Sequence, residues 1–272
     1  MRPLGDVVAA ALAEDLGPLG DLTAALVPSE AMAEAYLVPR TDGVLAGQAA
    51  ASETCAQVDR RIHLAWAASD GDTVEGGHRI GQVTGPLASV LTAERTALNF
   101  LCHLSGIATL TRRYVDLVTP GPARIRDTRK TTPGLRALEK AAVRAGGGVN
   151  HRGNLSDGVL VKDNHLAGMS IGNAVAAARH MWPGRTVQVE CDDLDQLQQA
   201  LAAEADLVLL DNMSPAEVLK CVELVGHRCL VEVSGGVTLD NVAAYAVTGA
   251  DLIAIGGLTH SAPVLDIGLD LC

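Results

Sequence analysis

The apolar residues of this chain change rhythm near residue 124. Before that point, "AYLVPRTDGVLAG" and "RIHLAWA" read as strands, and "GDTVEGGHRIGQVTGP" reads as turns and short strands punctuated by Gly and Pro. In "LASVLTAERTALNFLCHLSGIATLTRRYVDLV", Leu98, Leu101, Leu104 and Ile107 recur at helical spacing. Gly106 then marks either a break in that helix or a point of close packing. After residue 124, short apolar runs alternate with helical ones. The runs "ARIRD", "GVLVKD", "TVQVE", "DLVLLD", "RCLVEVSGG" and "DLIAIGG" predict strands, and "VNHR" is expected to add another. Between them, "PGLRALEKAAVRAG", "IGNAVAAARHMW", "LDQLQQALAAE", "SPAEVLKCVELV" and "TLDNVAAYAVTG" predict helices. Such alternation implies βαβ units and a parallel sheet. Strands that are apolar throughout fit a sheet buried on both faces. Six or seven units favour a barrel over an open sheet.

Composition narrows this picture. The chain has 272 residues, 48% of them hydrophobic but only 2% aromatic, so its core must be built from Ala, Val, Leu and Ile. No uncharged apolar run reaches the roughly 18 residues of a membrane span. The opening "MRPLGDVVAAALAEDLG" places Glu14 and Asp15 directly after a short apolar patch, unlike a signal peptide. The six cysteines form no CxxC pair, which predicts scattered buried thiols in a reducing, cytoplasmic setting. A net charge of −11 argues against nucleic-acid binding.

That acidity makes one stretch stand out. "IRDTRKTTPG", residues 125–134, gathers Arg126, Arg129 and Lys130, although the chain has only four lysines. Functional groups of a parallel α/β barrel collect where strands end. The predicted strand ends supply Arg129 and Lys130, then His151 and Arg152, Lys162, Glu190, Asp211, Ser234 with Gly235 and Gly236, and Gly257. Each has a bland reading: a solvated pair, a turn cap, a helix-start carboxylate, an ordinary glycine turn. Together they form a gradient from cations through carboxylates to glycines. Two like charges 4 Å apart repel by roughly 4 kcal/mol at an effective dielectric of 20. A polyanionic ligand would offset what Glu190 and Asp211 leave uncompensated. The glycines suit phosphate, because they let backbone N–H groups approach its oxygens.

At these residues the chain resembles a known family. "RDTRKTTPGLRALEKAAVRAGGGVNHR", "VLVKDNH", "LLDNM", "SGGVTLDN", "GGLTHSAPVLDIGLDL" and "TAERTALNFLCHLSGIAT" look like quinolinate phosphoribosyltransferase, the decarboxylating nicotinate-nucleotide pyrophosphorylase of NAD biosynthesis. The resemblance implies an α/β fold, with an N-terminal α/β sandwich over 1–106 and an irregular, incompletely closed α/β barrel over 107–260. Residues 261–272 would return to the N-terminal domain. It implies phosphoribosyl transfer from phosphoribosyl pyrophosphate to quinolinate, with Mg2+ as cofactor. It also implies a homodimer with shared active sites, a higher oligomer staying open. Quinolinate would meet Arg129, Lys130, His151, Arg152 and Lys162, with Arg95 reaching in from the partner subunit. Lys162, Glu190, Asp211, Ser234, Gly235, Gly236, Gly256 and Gly257 would hold phosphoribosyl pyrophosphate. Magnesium would sit at Glu190 and Asp211, and Lys162, Lys130, Glu190 and Asp211 would form the catalytic set. Two departures touch the pocket's shape. Gln188 stands where the family usually has an acidic residue, and "HRGNLSDG" lacks the usual bulky apolar residue after "HR". The rival readings are a same-fold paralogue acting on another base, a Schiff-base lyase using Lys162, and a non-catalytic binder of phosphorylated metabolites.

Overall fold

The computed structural model describes residues 3–272, and Met1 and Arg2 lie outside the described residues. The chain divides into two compact units. Among the described residues the first comprises 3–112, 131–147 and 258–272, and the second comprises 113–130 and 148–257.

The first unit is built on an antiparallel sheet. Strands β1 (Met32–Pro39), β3 (His63–Trp66) and β5 (Gly81–Pro86) pair in the order β1-β5-β3, while β2 (Gly43–Val44) and β4 (Thr73–Val74) form a separate ribbon. The last strand of the chain, Ile267–Leu271, pairs antiparallel with the free edge of β1. Helices α1 (Leu4–Leu16), α2 (Gln48–Val58), α3 (Leu87–Val118) and α4 (Arg136–Ala145) complete the unit, α3 running on into the second one. Leu37, Val83 and Leu101 share a core with Leu265 and Ile267 of the C-terminal segment. As the composition requires, that core is almost wholly aliphatic. Helix α3 does not break at Gly106. A Cβ at that position would lie 2.1 Å from the carbonyl oxygen of Pro263, so the glycine is a packing point for the C-terminal segment.

The second unit carries six parallel strands. In chain order they are β6 (Arg124–Arg126), β7 (Val159–Val161), β8 (Val187–Cys191), β9 (Leu207–Asp211), β10 (Leu230–Ser234) and β11 (Leu252–Ala254). They pair in the order β6-β11-β10-β9-β8-β7. No ladder joins β6 to β7 among the described residues, so the barrel stays open there. Val187, Val189, Val208, Leu210, Val231, Val233 and Ile253 are buried. Helices α5 (Asp163–Leu166), α6 (Ile171–Met181), α7 (Leu194–Ala202), α8 (Pro215–Val225) and α9 (Val242–Ala246) alternate with the strands. Helix α8 begins at a sequence-legible cap. Ser214 accepts the Glu217 N–H, Glu217 reaches back to Ser214, and Pro215 occupies the first turn.

One expected strand is absent. "VNHR" makes only a single parallel bridge, Val149 to Arg126. Beyond Val149, the buried Asp127 carboxylate takes the His151 N–H at 2.7 Å and the Asn150 Nδ2 at 2.5 Å. The His151 N–H, the next ladder donor, is spent on a side chain, and the ladder stops.

All six cysteines are free. Burial pushes the Cys55 thiol up to about 11 and the Cys191 thiol up to about 12, and it also raises Cys102, Cys221 and Cys229. Because the thiolate is the reactive form, native protein at pH 7.5 is expected to show one fast thiol, the exposed Cys272. Thiol titration should lose that fast phase in Cys272→Ser and recover all the others only on unfolding. A second fast thiol would contradict the burial of Cys55, Cys191 and Cys221 or the partial burial of Cys102 and Cys229.

Candidate active site

In a parallel pair, directly opposed residues share a face. The register opposes Leu160 to Gln188, Leu209 to Glu232, Asp211 to Ser234, and Ala254 to Arg126. Glu190, two residues beyond Gln188, opposes Leu209. Since side chains alternate along each strand, one face therefore carries Gln188 and Glu190, Leu209 and Asp211, Glu232 and Ser234, and Arg126. Polar groups occupy this face in two tiers, a rim at the strand ends and a buried layer two residues earlier.

The rim holds most of the residues expected from sequence. Lys162, just past β7, places Nζ 2.5 Å from Glu190 Oε2. Lys162 is partly exposed, and Glu190 is 12% exposed. Asp211 ends β9 beside Ser234, and its Oδ2 accepts the Asn212 Nδ2 at 2.7 Å. Gly235 and Gly236 follow with φ of +89° and +63°. A Cβ on Gly235 would fall 2.1 Å from Asn212 Oδ1, so no other residue fits there. Gly257 is different: a Cβ there would meet nothing within 4 Å, and its φ is not positive. Neither packing nor conformation demands that glycine, which fits a position kept clear for a ligand.

The cations crowd one another. Burial lowers the Arg152 pKa, and the neighbouring Arg129 guanidinium lowers it further, whereas Asp157 acts in the opposite sense. Arg152 Nη1 also donates to the Gly158 carbonyl at 2.9 Å. The "GNLSD" departure folds as a turn around Asp157, whose carboxylate takes the N–H groups of Gly153 and Asn154 at 2.7 and 3.2 Å. Lys130 is exposed. Arg95 belongs to the first unit, where it is exposed on α3.

The second tier contains what the sequence reading passed over. Glu232 is fully buried within β10. Its Oε2 accepts Arg126 Nη1 at 2.7 Å and Gln188 Nε2 at 2.8 Å, and its Oε1 lies 3.5 Å from His151 Nε2. Burial raises its pKa, while the Arg126 guanidinium and the Gln188 amide pull it down. Gln188, noted only as a departure, is a donor to this carboxylate. A signal was available: one Glu inside the apolar run "LVEVS", spaced two residues before Ser234, must face the same way as Ser234.

Glu190 and Asp211 offer hard carboxylate oxygens on adjacent strands. No cluster of three or more His, Cys, Asp or Glu side chains able to hold a metal occurs among the described residues. That donor set fits Mg2+, which is usually bound by one or two carboxylates together with a substrate's phosphates and water.

Comparison with known proteins now decides the family. The profile for the N-terminal domain of quinolinate phosphoribosyl transferase matches residues 21–105, and that for its C-terminal domain matches residues 107–270. The chain belongs to the quinolinate phosphoribosyl transferase family. Among curated members, the nicotinate-nucleotide pyrophosphorylase [carboxylating] of Mycobacterium leprae is 45% identical, over 98% of this chain and 96% of its own. A probable nicotinate-nucleotide pyrophosphorylase [carboxylating] of Bacillus subtilis is 41% identical, over 95% and 90%. The solved nicotinate-nucleotide pyrophosphorylase of Francisella tularensis superposes with a TM-score of 0.95 at 38% identity, covering all of this chain and 98% of its own. Phosphoribosyltransferase membership sets aside the Schiff-base lyase as a reading of Lys162, whose Nζ is in any case paired with Glu190.

Proposed function

We propose that this chain joins quinolinate to phosphoribosyl pyrophosphate, giving nicotinate mononucleotide, pyrophosphate and carbon dioxide. One observation supports the reading above the rest. Arg129 and Arg152 sit close enough for one guanidinium to disfavour the charge of the other. Paired guanidiniums suit a dianion, because the planar fork makes two charge-assisted bonds per carboxylate. Quinolinate offers two adjacent carboxylates. Lys130 and Lys162 would extend that positive rim.

No protein nucleophile is required. The pyridine nitrogen attacks the anomeric carbon of the ribose as pyrophosphate leaves, so the protein aligns the two reactants and holds leaving-group charge. Ser234, Gly235, Gly236, Gly256 and Gly257 would cradle the phosphates, with Glu190 and Asp211 facing the ribose side. Magnesium held at Glu190 and Asp211 would supply charge neutralisation for the diphosphate. Once the ring nitrogen is alkylated it is cationic, and the carboxylate carbon beside it departs as CO2, leaving its electron pair next to positive charge. A proton from Lys162 or water then completes the ring.

The test is pyrophosphate release from phosphoribosyl pyrophosphate with magnesium, run with quinolinate and with nicotinate, carbon dioxide being followed as well with quinolinate. Release with quinolinate alone is the expected outcome. Tight binding without turnover, or turnover of another base only, would replace the reading with one of its rivals. The homodimer is part of the proposal, with Arg95 serving the neighbouring subunit. Neither Arg95→Ala nor Arg152→Ala alone should be active, yet mixing the two should restore part of the activity through heterodimers that retain one intact site. Absence of rescue in verified heterodimers would argue against a shared site. No helix among the described residues is long and apolar enough to cross a membrane, and six free thiols fit a cytoplasmic enzyme.

A further inference from the structure

The backbone N–H of Arg152 lies 2.7 Å from His151 Nδ1. A backbone amide can only donate, so Nδ1 is the acceptor and carries no proton. The ring proton is therefore on Nε2, and Nε2 faces Glu232 Oε1 at 3.5 Å. That oxygen is buried and accepts no hydrogen bond among the described residues. The other oxygen of the same carboxylate is held by Arg126 and Gln188. Arg126 also donates from Nε to the Asn150 carbonyl at 3.4 Å. One buried carboxylate thus reaches the 150–152 segment by two routes, through Arg126 to Asn150 and directly to His151.

We propose that Glu232 is a positioning residue for the transfer reaction, neutralising Arg126 with one oxygen and drawing the His151 proton to Nε2 with the other. The proposal rests on the function given above. It changes the charge inventory of the pocket. His151 presents a neutral ring, and the dianion is met by the charges of Arg129, Lys130, Arg152 and Lys162, with Arg95 of the neighbouring subunit. Because Arg152 donates its own N–H to that ring, a displaced imidazole also displaces the backbone that carries the Arg152 guanidinium. Glu232 therefore acts on substrate through His151 and Arg152 and not by touching the ligand itself. Misplacement of reacting groups by about 1 Å can cost on the order of 100-fold in rate.

Nitrogen-15 NMR of histidine-labelled wild-type protein at pH 7.5, with His151 assigned by its loss in His151→Asn, tests the geometry. The expected spectrum has His151 neutral, with Nε2 protonated and Nδ1 bare. A proton on Nδ1 overturns the proposal, whether or not quinolinate proves to be the substrate. Kinetics test the coupling. Glu232→Gln and His151→Asn are each expected to lower kcat/KM by about 100-fold, and the double variant no further than the worse single. Losses that multiply, or a folded Glu232→Gln with wild-type kcat/KM, overturn it. If Glu232→Gln does not fold, Glu232→Asp, which keeps the charge but withdraws it by one methylene, is read in the same cycle. A wild-type protein inactive on quinolinate but carrying the Nε2–H ring would instead sink the proposed function and leave the geometry standing.

Discussion

Lys162→Ala is expected to lose about 10³-fold in kcat/KM, equivalent to about 4 kcal/mol, while the protein stays folded. The two consequences separate because they arise in different places. Lys162 lies at the end of β7, partly exposed, so its removal opens no cavity in the core. The lost pair with Glu190 lies at the rim, where ion pairs contribute at most about 1 kcal/mol to stability. In the transfer step the same ammonium would face charge that grows on the leaving diphosphate, in a site where water is partly excluded. Interactions that strengthen only in the transition state carry the larger free energy. Lys162→Arg should recover little, since a planar fork cannot replace a point charge seated on one carboxylate oxygen. Circular dichroism, thermal unfolding and the carbon dioxide assay together decide the matter. A folded Lys162→Ala protein with full turnover removes Lys162 from the chemistry.

Gly106→Ala should be among the most destabilising single-methyl additions in the first unit. Alanine favours a helix interior over glycine by about 1 kcal/mol, so propensity alone predicts a gain. The added Cβ, however, would lie 2.1 Å from the Pro263 carbonyl oxygen and 2.8 Å from the Val264 Cα. Both are backbone atoms, and Leu265 and Ile267 just beyond them are buried in the core shared with α3. The helix and the C-terminal segment cannot both keep their places. Overpacking of this kind costs about 3 kcal/mol, or about 6–12 °C in the first thermal transition of a domain this size. Detachment of the last strand from β1 should accompany it, seen as faster hydrogen exchange at Asp270 and Cys272, which oppose Tyr36 and Glu34 in the hydrogen-bonded pairs of that ladder. Unchanged thermal stability would mean that the close approach is not maintained in solution.

The rim was legible in the sequence because a parallel barrel writes its site at strand ends. Each apolar run stops at a residue that an all-buried strand could not hold, and Lys162, Glu190, Asp211 and the Ser234-Gly235-Gly236 turn all lie where such a stop predicts. The same rule misled at "VNHR". Its apolar content resembles a strand, but Asp127 diverts the backbone N–H of His151 to its own carboxylate. Glu232 escaped notice for the opposite reason. It sits inside a run that otherwise reads as buried strand, and a single charge there gains meaning only when its partners are known. Gly106 carried two readings that periodicity could not separate, because a helix tolerates glycine either as a weak point or as a contact.

What the sequence by itself determined is local and repetitive: the alternation of strands with helices, the aliphatic core, the placement of charge at strand ends, and motifs specific enough to mark the family. These follow from side-chain period and from the cost of burying charge, and neither needs knowledge of the neighbours. The tertiary structure alone decided which distant groups meet. Arg126 and Glu232 are 106 positions apart, and Gln188 and Glu232 are 44 apart. Only the sheet order β6-β11-β10-β9-β8 brings them onto one buried face. The tautomer of His151 belongs to the same class. It is set by a backbone donor at Nδ1 and a carboxylate beyond Nε2, and hydrogen-bond direction is a property of atoms placed in space.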